Sequence, residues 1–352
     1  MAQNAWTHDD YRVGWLCTTP IEVNAARTML DVEHGSLPTD QADDNSYILG
    51  EINRHTVVIA YPALYAQTNA PHVVSNMLSA FPRIRFGLSV GICGAAPSEP
   101  DLVNPLEDIR LGDVVVAEPG ESHNGVCYYD SDLLETQNVF ETNFRVRKPP
   151  AILQRAMRKL KSDHVLGNSQ MVNYYNQAVT QRAAQLPLLA PYQFPGWNYD
   201  RLFEWDYAHA TTAGNNGCAQ CDPTRLVVRG NRRSVDPVVH YGLIACGQTP
   251  LQSGAVRNRL RNSAVERNLD HDIYCFDTEA AGLGNKFSCV LIRGICDYSD
   301  GHRNKIWEPY AAVTAAAYAK DLLRVISREA VDHTMLMAKA LEVCKFREIS
   351  FD

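Results

Sequence analysis

Two neighbouring stretches in the last quarter of the chain decide how the rest of it is interpreted. Residues 275–283 read CFDTEAAGL, and residues 291–297 read LIRGICD. The first stretch is an apolar run followed by acids and small residues, which predicts a strand and then a helix. The second is a strand-like run that ends on Asp297. A buried strand that ends on a carboxylate needs a partner for it, and strand ends are where open α/β sheets bind ligands. The two stretches therefore predict a site.

Bulk composition is that of a soluble globular protein. The 352 residues are 45% apolar and 21% charged, and the net charge is −7. A negative chain is poorly suited to neutralising phosphates, so no nucleic-acid partner is expected. No apolar run approaches the roughly 20 residues that span a bilayer, and the first ten residues are polar. We therefore expect a cytoplasmic protein with no membrane partner.

The cysteines predict reduced thiols. The chain has 10 cysteines, several of them inside apolar segments, where free thiols commonly lie. Cys218 and Cys221 form a C-x-x-C pair with His209 upstream. One such pair without a second is a weak zinc signal. The sequence alone therefore predicts free thiols, no metal site and no cofactor.

Strand-like and helix-like segments alternate along the chain, which predicts an α/β fold. Thr19 and Pro20 form a typical helix start that follows a short apolar strand at 11–17. Residues 91–96 (GICGAA) are predicted to form a small-residue turn that lets a ligand approach the backbone. Further strands are predicted at 46–51, 55–61, 85–91, 109–116, 239–246, 273–276 and 290–295, and helices at 70–81, 152–160, 279 onwards, 309–326 and 332–343.

Glu279 before small residues, and Asp297 behind Arg-Gly-Ile-Cys, resemble the C-terminal signature of the purine nucleoside phosphorylase and uridine phosphorylase superfamily. Within it, the chain most resembles methylthioadenosine/adenosylhomocysteine nucleosidases and related fungal domains. The resemblance implies a three-layer α/β/α sandwich with a central mixed sheet, and a homo-oligomer. It places one domain at 11–330 with an insertion at 163–233, whose aromatic content predicts a packed segment. Residues 331–352 would form a helical tail.

Three acids acquire roles through this resemblance. On spacing alone Glu22 is a first-turn acid, stabilised by the free N–H groups of its helix; the resemblance implies that it activates the attacking water. Glu279 would bind the ribose hydroxyls, since a carboxylate accepts strong hydrogen bonds. Asp297 would protonate the leaving purine, which requires a buried carboxyl. Glu22 and Asp297 are thus the predicted catalytic residues.

The same resemblance implies the remaining substrate contacts. Thr278 stands where the family usually has a methionine under the sugar, and Asp277 replaces the usual glutamate. Cys93 and Gly94 belong to the loop that runs beneath the ribose. The loop at 247–251 would contact the base. Its three predicted base-contacting residues are Gln248, Pro250 and Leu251.

The nucleophile is predicted to be water. Phosphorylases of this type carry an arginine and a serine around the first glycine of the loop, where this chain has Ser89 and Ile92. A phosphate dianion without cationic partners is implausible, so the expected reaction is hydrolysis of a purine nucleoside. The alternatives are a phosphorylase, an N-glycosidase acting on ATP or another nucleotide, and a non-catalytic nucleotide-sensing module. Residues 302–305 (HRNK) could meet a phosphate, but a solvated basic turn is favoured.

Overall fold

The computed structural model describes residues 6–63, 70–104, 106–121, 123–129, 140–141, 147–210, 218–266, 272–280, 283 and 286–341. Within these residues, 11 strands form one mixed sheet in the order β2-β3-β4-β1-β5-β11-β6-β9-β7-β8, with β10 pairing to β5 and β9. The strands are β1 (Val13–Leu16), β2 (Val32–Glu33), β3 (Asn45–Ile52), β4 (His55–Pro62), β5 (Phe86–Ala95), β6 (Val114–Ala117), β7 (Val126–Tyr129), β8 (Phe140–Glu141), β9 (Val239–Cys246), β10 (Ile273–Asp277) and β11 (Cys289–Asp297).

The helices cover this sheet. They are α1 (Pro20–Thr28), α2 (Ala70–Ala80), α3 (Ala151–Val165), α4 (Met171–Tyr175), α5 (Gly254–Glu266), α6 (Glu308–Arg324) and α7 (Arg328–His333). A Cβ atom at Gly294 would collide with the carbonyl of Ala311, so this glycine lets the backbone of α6 lie directly against β11. No helix in the described ranges is long and apolar enough to cross a bilayer. The α/β prediction is confirmed, and the arrangement in three layers stays a prediction.

Two local predictions are confirmed at the residues that produce them. Thr19 is the N-cap of α1, its side chain accepts from the backbone N–H of Glu22, and Pro20 opens the helix. The strands β3 and β4 pair antiparallel around Asn53 and Arg54, whose φ angles are 48° and 68°. Positive φ at both turn residues is the geometry that two-residue hairpins favour.

The predicted turn at residues 91–96 is wrong, because β5 continues to Ala95. Gly94 pairs with Asp297 of β11 on one side and with Phe276 of β10 on the other. The glycines serve close packing instead of chain reversal. A Cβ atom at Gly94 would overlap the side chains of Asp297 and Ser299.

Other elements were missed or begin elsewhere. The helix α5 was not predicted, since its apolar stripe is narrow and its other faces carry arginine and asparagine. The helix α7 begins at Arg328, before the predicted start at residue 332, and the helical residues 337–341 lie inside the predicted range. The helix predicted from Glu279 lies largely outside the described residues, as does the chain from 342 onwards.

Residues 171–199 pack on the start of α6 through aromatic rings. Phe194 lies 5.7 Å from Trp307 and 5.5 Å from Tyr310 between ring centroids, and the indole N–H of Trp307 donates to the carbonyl of Tyr199 at 3.0 Å. Between residues 166 and 233, the described residues form helical turns and a single isolated bridge, Phe203 with Leu226. The boundaries of a domain with an insertion at 163–233 stay a prediction.

Candidate active site

The carboxyl ends of several strands meet at one edge of the sheet. The strand β5 runs parallel to β1 and β11, with Leu16 opposite Ser89 and Asp297 opposite Gly94. The strand β10 runs parallel to β9 and brings Asp277 opposite Cys246. This edge holds a cavity of about 240 Å³. Seven of the predicted site residues line it: Cys93, Gly94, Pro250, Leu251, Thr278, Glu279 and Asp297.

Two predicted residues do not line this cavity. Gln248 is exposed on the loop after β9. Glu22 lies directly behind the wall, 3% exposed, and its Oε1 would be 2.5 Å from a Cβ atom on Gly91. Glu22 is therefore adjacent to the cavity, although it does not line it.

Glu22 is held by four hydrogen-bond donors. Its Oε2 accepts from the backbone N–H of Thr18 at 2.9 Å, from the Thr18 hydroxyl at 2.9 Å and from the backbone N–H of Thr19 at 3.0 Å. Its Oε1 accepts from the backbone N–H of Ile92 at 3.0 Å. The residue is thus the capping acid that its spacing predicts, and it also ties α1 to β5. One oxygen, Oε1, keeps capacity for a further donor.

Glu279 approaches Gly91 from the same face of β5 as Glu22 does. Its Oε2 would be 3.1 Å from the same Cβ position that Glu22 approaches, so the two carboxylates flank one point of β5. Burial raises the pKa of Glu279 well above its usual value, and the carboxylates of Glu22 and Asp277 raise it further, against the opposing charge of Arg293. Glu279 therefore keeps its proton at a higher pH than an ordinary glutamate does.

A buried ion pair that sequence reasoning missed positions Glu279. Arg293 is 1% exposed and donates to Asp277 Oδ2 at 3.0 Å, and to the carbonyl and hydroxyl oxygens of Ser89 at 2.8 and 3.1 Å. Asp277 in turn accepts from the backbone N–H groups of Glu279 at 3.3 Å and Ala280 at 3.0 Å. The usable signal was an arginine inside the apolar run LIRGICD with an acid on a nearby predicted strand.

Asp297 has donors on both oxygens. Its Oδ1 accepts from the backbone N–H of Ser299 at 2.8 Å, and its Oδ2 accepts from Nε of Arg303 at 2.8 Å. The Arg303 side chain is 42% exposed and also lines the cavity. The solvated basic turn favoured for residues 302–305 is therefore wrong for Arg303, which is ion-paired, and for His302, which is buried against Phe203.

Acids outnumber cations around this cavity. Glu308 at the start of α6 lines it, and burial raises the pKa of Glu308, with Lys305 and Arg303 opposing. Of the lining residues that the structure describes, only Arg303 is cationic. The cavity is lined by four carboxylates and one guanidinium, and Glu22 and Arg293 are buried next to it. The five carboxylates are Glu22, Asp277, Glu279, Asp297 and Glu308, and the two guanidiniums are Arg293 and Arg303.

Solved structures of bacterial 5′-methylthioadenosine/S-adenosylhomocysteine nucleosidases share this architecture. The Neisseria meningitidis enzyme in complex with methylthio-immucillin-A is 14% identical, with 90% of this chain and 99% of that chain covered and a TM-score of 0.51. A putative enzyme from Borrelia burgdorferi bound to adenine is 13% identical, with 89% and 100% covered and a TM-score of 0.52. The Helicobacter pylori enzyme is 13% identical, with 90% and 98% covered and a TM-score of 0.51. The chain has the fold of the nucleosidases of the purine nucleoside phosphorylase superfamily, which confirms the resemblance.

A fungal protein is the relative found by sequence. A nucleotide-binding leucine-rich repeat (NLR)-like protein of Hyaloscypha variabilis is 37% identical over 324 residues, which is 92% of this chain and 30% of that protein. The chain therefore spans about 30% of the length of this relative. No protein-family model matches the chain. The likeness to a fungal protein agrees with the resemblance to fungal nucleosidase-like domains.

Proposed function

We propose that this protein hydrolyses the N-glycosidic bond of a purine nucleoside and releases the free base and ribose. The proposal rests on one observation, the excess of carboxylates over cations around the cavity. Glycoside cleavage passes through an oxocarbenium-like transition state, and preorganised negative charge stabilises such a cation. The same charge excess repels a phosphate dianion, which favours water as the nucleophile.

Glu279 is proposed to hold the sugar hydroxyls. Burial favours the protonated form, since it raises the pKa of Glu279. Positive charge developing on the sugar favours the ionised form instead, so the interaction strengthens as the bond breaks. Glu22 would orient water through Oε1, which lies on the same face of Gly91 as Oε2 of Glu279.

Asp297 is proposed to give a proton to the leaving base. Its Oδ2 accepts a hydrogen bond from Arg303, so Arg303 must leave before that oxygen can carry a proton. The Arg303 side chain is 42% exposed, and solvent can accept it at little cost. We therefore propose that Arg303 positions Asp297 before the substrate binds. The purine would displace Arg303 from Asp297 as it enters.

The base is proposed to lie on the apolar side of the cavity. Tyr129 and Phe276 form an edge-to-face pair there, 5.6 Å between centroids, with Pro250 and Leu251 beside them. Cys93, Gly94 and Thr278 would lie under the sugar. Gln248 would reach the base only if the loop at 247–251 closed over it. We further propose a homo-oligomer, at least a dimer, which light scattering of the purified chain would detect.

A product assay tests this proposal. The chain is incubated with adenosine, inosine, guanosine, methylthioadenosine and ATP, each with and without inorganic phosphate. We expect free base and free ribose from at least one purine nucleoside, at a rate that phosphate does not change. Ribose 1-phosphate formed only with phosphate would establish a phosphorylase. Ribose triphosphate from ATP would establish the nucleotide N-glycosidase.

A non-catalytic nucleotide-sensing module is the second candidate. Two observations favour it. The chain is similar to an NLR-like protein, and the proposed general acid Asp297 is ion-paired with Arg303. Calorimetry alongside the product assay separates the two candidates. Saturable purine binding with no product over hours would favour the sensor, whereas turnover excludes it.

A further inference from the structure

Among the residues that the structure describes, one His–Cys–Cys cluster lies away from the acidic cavity. The ligand atoms of His209, Cys218 and Cys221 all lie within 4.8 Å of one another. Cys221 is buried, and the other two residues are partly buried. The sequence alone predicts free thiols at this C-x-x-C pair. The structure adds the histidine, because it brings His209 to the two sulfurs.

The spacing of this cluster suits a tetrahedral metal. Zinc binds sulfur at about 2.3 Å and nitrogen at about 2.0–2.1 Å, so ligand atoms around it lie roughly 3.4–3.8 Å apart. The three ligand atoms of the cluster lie within 4.8 Å of one another, which is close to that spacing. Two thiolates would neutralise a divalent ion, and mixed sulfur and imidazole ligands in a tetrahedron favour zinc among the common metals.

His302 supplies a second, independent observation. Its side chain is 2% exposed, yet both Nδ1 and Nε2 are buried without a hydrogen-bond partner. Buried imidazole nitrogens without partners are costly and rare in native proteins. The His302 ring lies 5.2 Å from the His209 ring between centroids, and Cys218 Sγ lies 3.8 Å from the His302 carbonyl oxygen. The imidazole of His302, whose nitrogens have no hydrogen-bond partner, thus lies beside a cluster of three potential metal ligands.

Asp300 explains which nitrogen would face a metal. Its Oδ1 lies 3.7 Å from Nδ1 of His302 and accepts from the backbone N–H of the same residue at 2.8 Å. A metal-binding histidine commonly donates its other ring N–H to a carboxylate, which fixes the tautomer. A hydrogen bond from Nδ1–H to Asp300, formed as the metal binds, would leave Nε2 as the ligand atom.

We propose that His209, Cys218, Cys221 and His302 bind one structural Zn²⁺ ion. Four protein ligands leave no open position, which is typical of structural and not of catalytic zinc. The ion would connect residues 203–210 and 218–221 to the loop that follows β11. The two are already in contact, since a Cβ atom on Gly301 would lie 3.4 Å from Cβ of His209. The same loop carries Arg303 to Asp297, so the zinc would fix one wall of the cavity.

Metal content of the full chain is the first test. We expect one zinc per chain by elemental analysis of protein purified under reducing conditions. Cys218→Ser and Cys221→Ser should each lower the zinc content at least tenfold, and His302→Ala should weaken binding at least tenfold in a chelator competition. Cys127→Ser is the matched control, because Cys127 is a partly exposed thiol outside the cluster; it should keep one zinc per chain.

Cobalt substitution of the unmutated chain covers the case in which these variants fail to fold. Co²⁺ should give intense tetrahedral bands and thiolate charge-transfer absorption, and Zn²⁺ should abolish both. Chain with no stoichiometric metal, a cobalt spectrum of octahedral type, or a Cys218–Cys221 disulfide under reducing conditions would overturn the proposal. None of these readouts depends on nucleosidase activity, so this proposal and the proposed function can fail separately.

Discussion

Buried acids in two regions of this protein differ in how well their charge is compensated by neighbouring cations. In the first region, which we call the bidentate pairs, Asp108 accepts from Nε and Nη2 of Arg229 at 2.7 and 3.0 Å, and Asp113 accepts from both terminal nitrogens of Arg232 at 2.6 and 2.7 Å. In the acidic cavity, one internal arginine, Arg293, faces several carboxylates. In the bidentate pairs each of these two carboxylates has its own guanidinium partner, whereas in the acidic cavity the carboxylates outnumber the guanidiniums.

The pKa values record this difference. Burial alone would raise the pKa of Asp113, but His240 and Arg232 bring it down to about 2. Burial raises the pKa of Glu279, and neighbouring carboxylates add to that effect. Structural ion pairs stabilise an ionised acid, whereas functional sites often keep charges uncompensated until a ligand arrives. The contrast identifies the cavity as the place where the fold tolerates an unfavourable charge arrangement.

Asp297→Asn should have the largest effect. We expect turnover to fall by roughly 10²–10⁴-fold, the usual contribution of a general acid, in the product assay. Thermal stability should change little, because Arg303 stays partly solvated when its partner is lost. Asp272→Asn is the control, an exposed acid outside the cavity that pairs with Arg261. Near-normal turnover of Asp297→Asn would remove its assigned role.

Arg232→Met should have the next largest effect, on stability. The substitution leaves Asp113 as a buried charge with His240 as its remaining side-chain partner, which costs about 3–5 kcal/mol. Denaturant unfolding followed by fluorescence measures the loss. The adjacent Arg233→Met is the matched control, since Arg233 is exposed and such surface changes stay within about 0.5 kcal/mol. Equal stability of the two variants would contradict the distinction between the regions.

Glu279→Gln should have the smallest effect on stability. It should stabilise the protein, whereas Arg232→Met should destabilise it. The pKa of Glu279 is raised in the folded chain, so its ionisation lowers the free energy of unfolding as pH rises. Glutamine cannot ionise, so Tm should increase by roughly 1–3 °C, an effect of about 1 kcal/mol, and the gain should grow with pH. Activity should fall at the same time.

Asp277→Asn is the matched comparison within the cavity. Asp277 is paired with Arg293. Asp277→Asn should therefore lower Tm, whereas Glu279→Gln should raise it. A lower Tm for both variants would mean that Glu279 is a structural acid like Asp113.

Sequence patterns predicted the parts of the molecule that depend on neighbours along the chain. The start of α1 follows from Thr19, Pro20 and Glu22 because a helix cap is local chemistry. The turn proposed at residues 91–96 failed because glycine has two uses, and here Gly91 and Gly94 make room for Glu22 and Asp297. Nothing within three residues of either glycine distinguishes chain reversal from close packing.

Contacts between distant segments set the limit of prediction for the site. Most residues expected in the cavity line it, since strand ends meet at one edge of the sheet. The partners of these residues were missed: Arg303 appeared to be solvated, and Arg293 was not linked to Asp277. A zinc site was not predicted because a single C-x-x-C pair is a weak signal, and because the fourth ligand proposed above, His302, lies 84 residues from Cys218. Side-chain pairing across such separations depends on packing that a local pattern does not encode.

Binding of a charged sugar mimic tests the central claim most directly. Calorimetry would compare a nucleoside analogue whose sugar ring contains a protonated nitrogen with its neutral carbon counterpart of the same shape. The account predicts at least about 100-fold tighter binding of the cation, the lower range for transition-state analogues, and loss of most of that preference in Glu279→Gln. Equal affinity of the unmutated chain for both analogues would show that the excess of carboxylates does not recognise positive charge on the sugar.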